Sequence, residues 1–456
     1  CGRAQARREA VAAPAEDLAG TGMTMRSAVA AMLTAASLFF AAPSSAAMAH
    51  QTGSLPRGGT YVLDSDPTVG SAAISLWFRA PGAGYDDTTP GISNLAVTAA
   101  AVAPLASGKS LYALVHTVGG ELNLEVYPDI VGVAAVVPAA AARRIVAAMT
   151  AAYFAPAVDD TAVKTARANA AVLGVQQRYE SDSTLHDLLF RQIFATGPAH
   201  YPPLPTTVAQ LTSISTAQVS AFAKRAFRAE NSVLTLAGNV DASSITAVTD
   251  GSGAGSMDSP YDSRLAGPPA STTASGAVDG VGLAWIGPPI ADEKAATALD
   301  FIADYLFREE TGVVSKALDE SQSDALVIGQ FITLHDPGVM VVTIGGSNEK
   351  QTEQHVLDAL EKMQQPMETQ TFNGAREAFL YHVAADTQTP QQRSDNLGWY
   401  TVEGNLEYAP GISNGSYEQS ARSLDPQYVA GIVRRYLHDP VIVDLVATTP
   451  QKENSR

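Results

Sequence analysis

Paired histidines and carboxylates are the side chains that hold zinc and activate water, so they are the first thing to look for. The 456-residue chain has eight histidines: His50, His116, His186, His200, His335, His355, His382 and His438. No two of them stand four residues apart, so no helix presents the imidazole pair of an HExxH or HxxEH zinc site. The sole cysteine is Cys1, which excludes an intramolecular disulfide, a cysteine-ligated metal centre and a thiol nucleophile in the body of the protein. Gly411-Ile412-Ser413-Asn414-Gly415 fits the G-x-S-x-G pattern, with Asp425 and His438 following in hydrolase order. That elbow needs a strand before the serine and a helix directly after it. Pro410 and the run of Gly, Ser and Asn read better as a turn, which leaves a serine hydrolase using Ser413 as a minor alternative. GSGAGS at 251–256 lacks the lysine and the strand-to-helix setting of a phosphate loop. Glu309-Glu310 falls at a helix end and reads as a solvated pair.

With 29 basic and 46 acidic side chains, the formal charge is −17. Nucleic acid is excluded as a partner, because affinity for phosphate backbones rests on Lys and Arg. At 46% hydrophobic residues the composition is that of a globular protein, and the length predicts two or three domains. From Met23 or Met25 the sequence reads as a secretory signal: Arg26, an apolar run from Ala28 to Ala42, and an A-x-A site at Ala47-Met48-Ala49. The run is shorter than the roughly 20 residues of a membrane span. Residues 1–49 are therefore read as upstream sequence plus signal peptide. The mature chain is expected to be secreted across the inner membrane into the periplasm, without a membrane span of its own.

The elements that would position any chemistry fall into two halves, 54–245 and 279–450, around a Gly/Ser/Ala/Pro-rich stretch at 250–280 read as a linker. ISTAQVSAFAKRAF at 214–227 and LDPQYVAGIVRRYL at 424–437 align, with Ile214 on Leu424 and Arg225 on Arg435. Ser215 and Asp425 sit as helix caps, with Pro426 in a first turn. Each helix leads into a β-branched run, 232–238 and 441–447, read as a buried strand. Ala166-Arg167 and Ala375-Arg376 echo one another at almost the same offset. Strand pairs at 60–82 and 122–138, a helix from Ala139 to Phe154, a strand at GLAWIGPP, a helix from Glu293 to Phe307, a strand at 338–346 and a helix from Glu349 to Met363 complete the pattern. The fold class is α+β: two homologous domains, each a largely antiparallel sheet with helices packed on one face.

In this order the segments resemble the pitrilysin/insulinase family of zinc metallopeptidases, the group that includes mitochondrial processing peptidase and bacterial periplasmic relatives. The likeness runs over residues 58–450 and is clearest at 211–241, at Gly119-Gly120-Glu121-Leu122-Asn123, at 306–320, and from Leu397 to Leu437. Active members carry HxxEH on a helix and a further Glu on a later one. Here the resemblance places Asn94 and Thr98 at the two His positions, Val97 at the catalytic Glu and Gly174 at the last ligand. None can replace what it stands for, since zinc takes imidazole, thiolate or carboxylate and the water needs a base. The resemblance therefore implies a chain that is not an enzyme by itself and holds no cofactor. It would pair as a heterodimer with a zinc-bearing homologous subunit, the zinc lying only in that partner, around peptide substrates. The alternative is a stand-alone peptide-binding or scaffold protein of the envelope. Non-catalytic members can lend an Arg and a Tyr to substrate, but 338–352 contains neither. Arg376, Arg393, Tyr381 and Tyr400 are the nearby candidates.

Overall fold

The computed structural model describes residues 50–448 except 57, 80–88, 90, 128–129, 178, 195–210, 249–270 and 413–414. The proposed signal segment and Ser413 lie outside the described residues.

The first half begins with β1 (Gln51–Ser54), β2 (Thr60–Ser65) and β3 (Ser71–Arg79). Two helices, α1 (Ile92–Val102) and α2 (Leu111–Thr117), lead to the hairpin of β4 (Glu121–Val126) and β5 (Ile130–Pro138). Then come α3 (Ala142–Phe154), α4 (Asp160–Gln177), α5 (Ser181–Ile193), α6 (Thr216–Ala226) and β6 (Ser232–Gly238). The sheet order is β1-β2-β6-β3-β5-β4. The helix expected from Ala139 opens as a 3-10 turn over Ala139–Ala141.

The second half repeats this plan. It runs β7 (Ser271–Gly276), β8 (Gly280–Ile286), α7 (Glu293–Phe307), α8 (Val313–Glu320), β9 (Leu326–Ile332) and β10 (Val339–Gly345). It continues with α9 (Glu349–Met363), α10 (Thr369–Ala385), α11 (Pro390–Val402), α12 (Ser416–Arg422), α13 (Pro426–Tyr436) and β11 (Val441–Ala447). The order β7-β11-β8-β10-β9 matches β2-β6-β3-β5-β4 strand for strand. Even the direction is kept: β2 is parallel to β6 and β7 is parallel to β11, while every other pair is antiparallel. A shared order with the same single parallel pairing makes the duplication a property of topology as well as of helix sequence.

Two sequence expectations need correcting. The stretch read as a linker ends in structure, because β7 lies inside it. Its polar residues alternate between exposed and half-buried, and β11 supplies the backbone partners that composition alone does not reveal. β11, expected to be fully buried, alternates instead, as a strand beside an edge does; Lys350 pairs with its Asp444 at 2.5 Å.

The helices do not all stay on their own half. α5 packs on β8, β10 and β11 of the second sheet, and α11 packs on β3 and β6 of the first. Each sheet is therefore covered on one face by helices of its own half and on the other by a single helix from the opposite half. This explains why β3 is buried along nearly its whole length. Ile74, Leu76 and Phe78 belong to the core under the outer helices, while Ser75 and Trp77 face α11. The close approach is made by glycine. An added Cβ at Gly398 of α11 would fall 2.0 Å from Trp77 Nε1, and one at Gly282 of β8 would fall 2.8 Å from Leu189 of α5.

Candidate functional site

α1 is the helix on which the resemblance places the zinc motif. It packs against α4 and α6, so the two helices that would share a metal do lie side by side. Gly91 starts it in the left-handed region at φ 86°, a conformation that suits glycine. Asn94 and Thr98, one turn apart, are half-buried. Val97 is 1% exposed and part of the core. Its carbonyl accepts a hydrogen bond from the buried Tyr153 hydroxyl at 2.9 Å, whose ionisation burial suppresses. Gly174 lies on α4.

The residues do not fit zinc. An amide, a hydroxyl and a hydrogen stand where three ligands would be needed, and an alkyl group stands where the base would be. Among the described residues, no group of three or more His, Cys, Asp or Glu side chains is arranged to hold a metal. Three of the histidines have other partners. His382 Nδ1 is 2.8 Å from Asp304, which also faces Arg308. His335 Nδ1 meets the Glu403 carbonyl at 2.9 Å, and His186 stacks on Phe190. A cavity of about 480 Å³ borders Asp304, Glu368, Gly374 and His382; all of these belong to α7, α10 and the turn before α10, away from α1.

The G-x-S-x-G stretch lacks the elbow's setting. A 3-10 turn over Leu406–Tyr408 precedes it where a strand is required, and Gly411 has φ 89°. Asp425 is the N-cap of α13, accepting from Tyr428 N at 2.9 Å. Gly119, at φ 76°, closes the turn after α2, and Gly120 comes within 2.6 Å of the Val136 carbonyl at its would-be Cβ. The glycine pair thus delivers the chain into edge strand β4.

Three of the four candidate substrate clamps, Arg376, Arg393 and Tyr400, are engaged within the fold. Arg167 on α4 donates to the Ile214 carbonyl, and Arg376 on α10 donates to that of Leu424 at 3.1 Å. Ile214 and Leu424 are the residues ahead of the Ser215 and Asp425 caps. The two echoes found in the sequence are therefore one device, used twice: an arginine on a long helix binds the carbonyl that precedes the helix leading into the last strand of its half. Arg393 pairs with Asp64 at 2.7 Å and Asp66 at 3.4 Å. Tyr400 is buried in the core beside Tyr408; Tyr381 is 72% exposed.

One polar cluster went unnoticed in the sequence. Where α11 meets the first sheet, Ser394 Oγ reaches Ser75 Oγ at 2.9 Å and Thr235 Oγ1 at 3.1 Å, and Ser75 donates to Asp395 Oδ1 at 3.1 Å. Burial first, and then the charge of Glu125, pushes the Asp395 carboxyl up to about 7. Its signal, Ser-Asp in a helix also bearing Gly-Trp, is meaningful only once α11 is known to cross over.

Residues 213–379 match the family model described as Peptidase M16 inactive domain. Among curated proteins none matches the chain. The fold is similar to that of a protease from Helicobacter pylori (14% identity, TM-score 0.75, covering 87% of this chain and 99% of that one). It is also similar to a peptidase M16 inactive domain from Pseudomonas fluorescens (16%, 0.70, 89% and 99%). A chain of complex III2 from Candida albicans is similar as well (12%, 0.68, 87% and 95%).

Proposed function

We infer from this chain's membership of the pitrilysin/insulinase (M16) peptidase family, through its inactive-domain segment, that it works as a non-catalytic subunit paired with a zinc-bearing homologue. The observation that carries the reading is Val97. The resemblance puts the family's base at this position, and the residue there is a core residue on a helix that packs on a duplicated scaffold. A duplicated shell without ligands has half of what a peptide-processing chamber needs; a partner with an intact HxxEH helix supplies the rest. The Candida albicans chain, a component of complex III2, supports the idea that this fold can serve as a subunit of a larger assembly. The net charge of −17 would orient peptides entering a shared chamber, favouring basic ones. Among the described residues no helix is long and apolar enough to cross a membrane. The signal-like segment ahead of residue 50 supports a site of action in the periplasm.

Co-expression with an HxxEH-bearing homologue, followed by size-exclusion chromatography and a peptide-cleavage assay, tests the pairing. Co-elution, with hydrolysis that requires both chains, is expected. Separate elution overturns the pairing and favours the stand-alone peptide-binding scaffold.

A further inference from the structure

α7 and α10 pack together in the second half, and the cavity of about 480 Å³ lies along their junction, with Asp304 and Tyr305 on one side and Glu368, Gly374 and His382 on the other. That volume is within the roughly 300–1,000 Å³ of small-molecule pockets.

Its polar wall is fixed from behind. Asp304 is 4% exposed and lies 2.8 Å from His382 Nδ1. A carboxylate only accepts, so Nδ1 carries the hydrogen and, in the neutral ring, Nε2 is left as an acceptor. Arg308, 3.4 Å from Asp304, is committed to Asp386 by hydrogen bonds of 2.8 and 3.1 Å. Glu368 caps α10, accepting from Thr371 N at 2.8 Å, and the backbone N–H groups of Gln370 and Thr371 hold its carboxyl below the ordinary range. Its charge offsets the positive end of that helix, which would otherwise favour an anion. Among the described residues bordering the cavity, Asp304 and Glu368 are the carboxylates and neither Lys nor Arg is present. Two aromatic rings complete the surroundings. Tyr305 stacks on Phe301 at 6.1 Å, and Tyr381, one turn beyond Ala378, has its ring 6.0 Å from that of His382.

Gly374 gives independent support. It lies inside α10, where glycine costs about 1 kcal/mol relative to alanine. Packing does not call for it, since a Cβ added there would meet nothing within 4 Å. What the missing side chain keeps open is the cavity itself.

We propose that this cavity binds a free small aliphatic cation, its guanidinium or ammonium head set against Glu368 and the His382–Asp304 pair and its hydrocarbon stem lying along Gly374, Ala375 and Ala378. A cationic head gains charge-assisted hydrogen bonds from such acceptors and attraction to the tyrosine faces, whereas an anion would meet two carboxylates. The proposal stands apart from the pairing with a zinc-bearing homologue and needs no metal.

Isothermal titration of the full chain with n-butylguanidinium and with its uncharged isostere n-butylurea tests it. Saturable binding of the cation is expected, at least about tenfold tighter than that of the urea, as one charge-assisted hydrogen bond provides. Gly374→Leu, which fills the cavity from a position with open space, should weaken the cation at least about tenfold while leaving the thermal unfolding midpoint unchanged or higher. Glu368→Gln should weaken it as well, and it decides the matter if Gly374→Leu does not fold. Absence of saturable binding, equal affinity for the urea, or affinity unchanged in the variants overturns the site; the last would show cations gathering on the acidic surface at large. A blocked Gly-Arg-Gly tripeptide binding more tightly than butylguanidinium would identify a peptide side chain as the occupant and overturn the free small molecule.

Discussion

Trp77→Ala is expected to lower the unfolding free energy by about 3–5 kcal/mol, the range for deleting a large buried aromatic side chain. Trp77 is 3% exposed and sits where the second half's α11 lies on the first half's sheet. Its ring meets Trp399 edge-on at 5.9 Å and lies over Gly132, whose would-be Cβ is 2.7 Å away. Gly132 beneath and Gly398 above carry no side chain that could fill the space. Trp399 is tied to its own half by a 2.7 Å bond to the Thr333 carbonyl. Removing Trp77 therefore weakens the union of the halves as well as one sheet. Urea unfolding checks it, and a loss under about 1 kcal/mol would show that α11 contributes little to that union.

Val97→Glu is the second large effect. The substitution should cost about 3 kcal/mol or more, because a carboxylate would enter a 1% exposed site in an apolar cluster. Asn94→His and Thr98→His, at half-buried positions, should each cost less than about 1 kcal/mol. The contrast separates a position absorbed into the core from two positions that remain half-open to solvent. Equal small costs at all three would mean that the α1 site stays open enough to be rebuilt. Denaturant titration of the three variants distinguishes these outcomes.

Most of the scaffold was legible because its signals are local. Ser215 and Asp425 cap their helices as their spacing implied, and the hydrophobic runs of β3, β8 and β10 became central strands. The Arg167 and Arg376 echo was visible as a repeat, but its meaning required knowing that each guanidinium reaches a carbonyl far along the chain. What stayed hidden was long-range. β7 is polar and becomes a strand only because β11 pairs with it. α5 and α11 look like ordinary amphipathic helices, and nothing in their periodicity says that each is buried against the opposite half's sheet. Asp395 follows from that crossing: in sequence it resembles a surface acid, and only the fold sets it against Ser75 of the first sheet. At α1, singling out Asn94, Val97, Thr98 and Gly174 depended on resemblance, since an amide, a hydroxyl, an alkyl group and a hydrogen carry no metal-binding pattern to read.

Zinc content and peptidase activity of the purified chain test the central claim most directly. Elemental analysis after dialysis against zinc should find far less than one zinc per chain, and a peptide library should remain uncleaved. One tightly held zinc per chain together with hydrolysis by the chain alone would contradict the account.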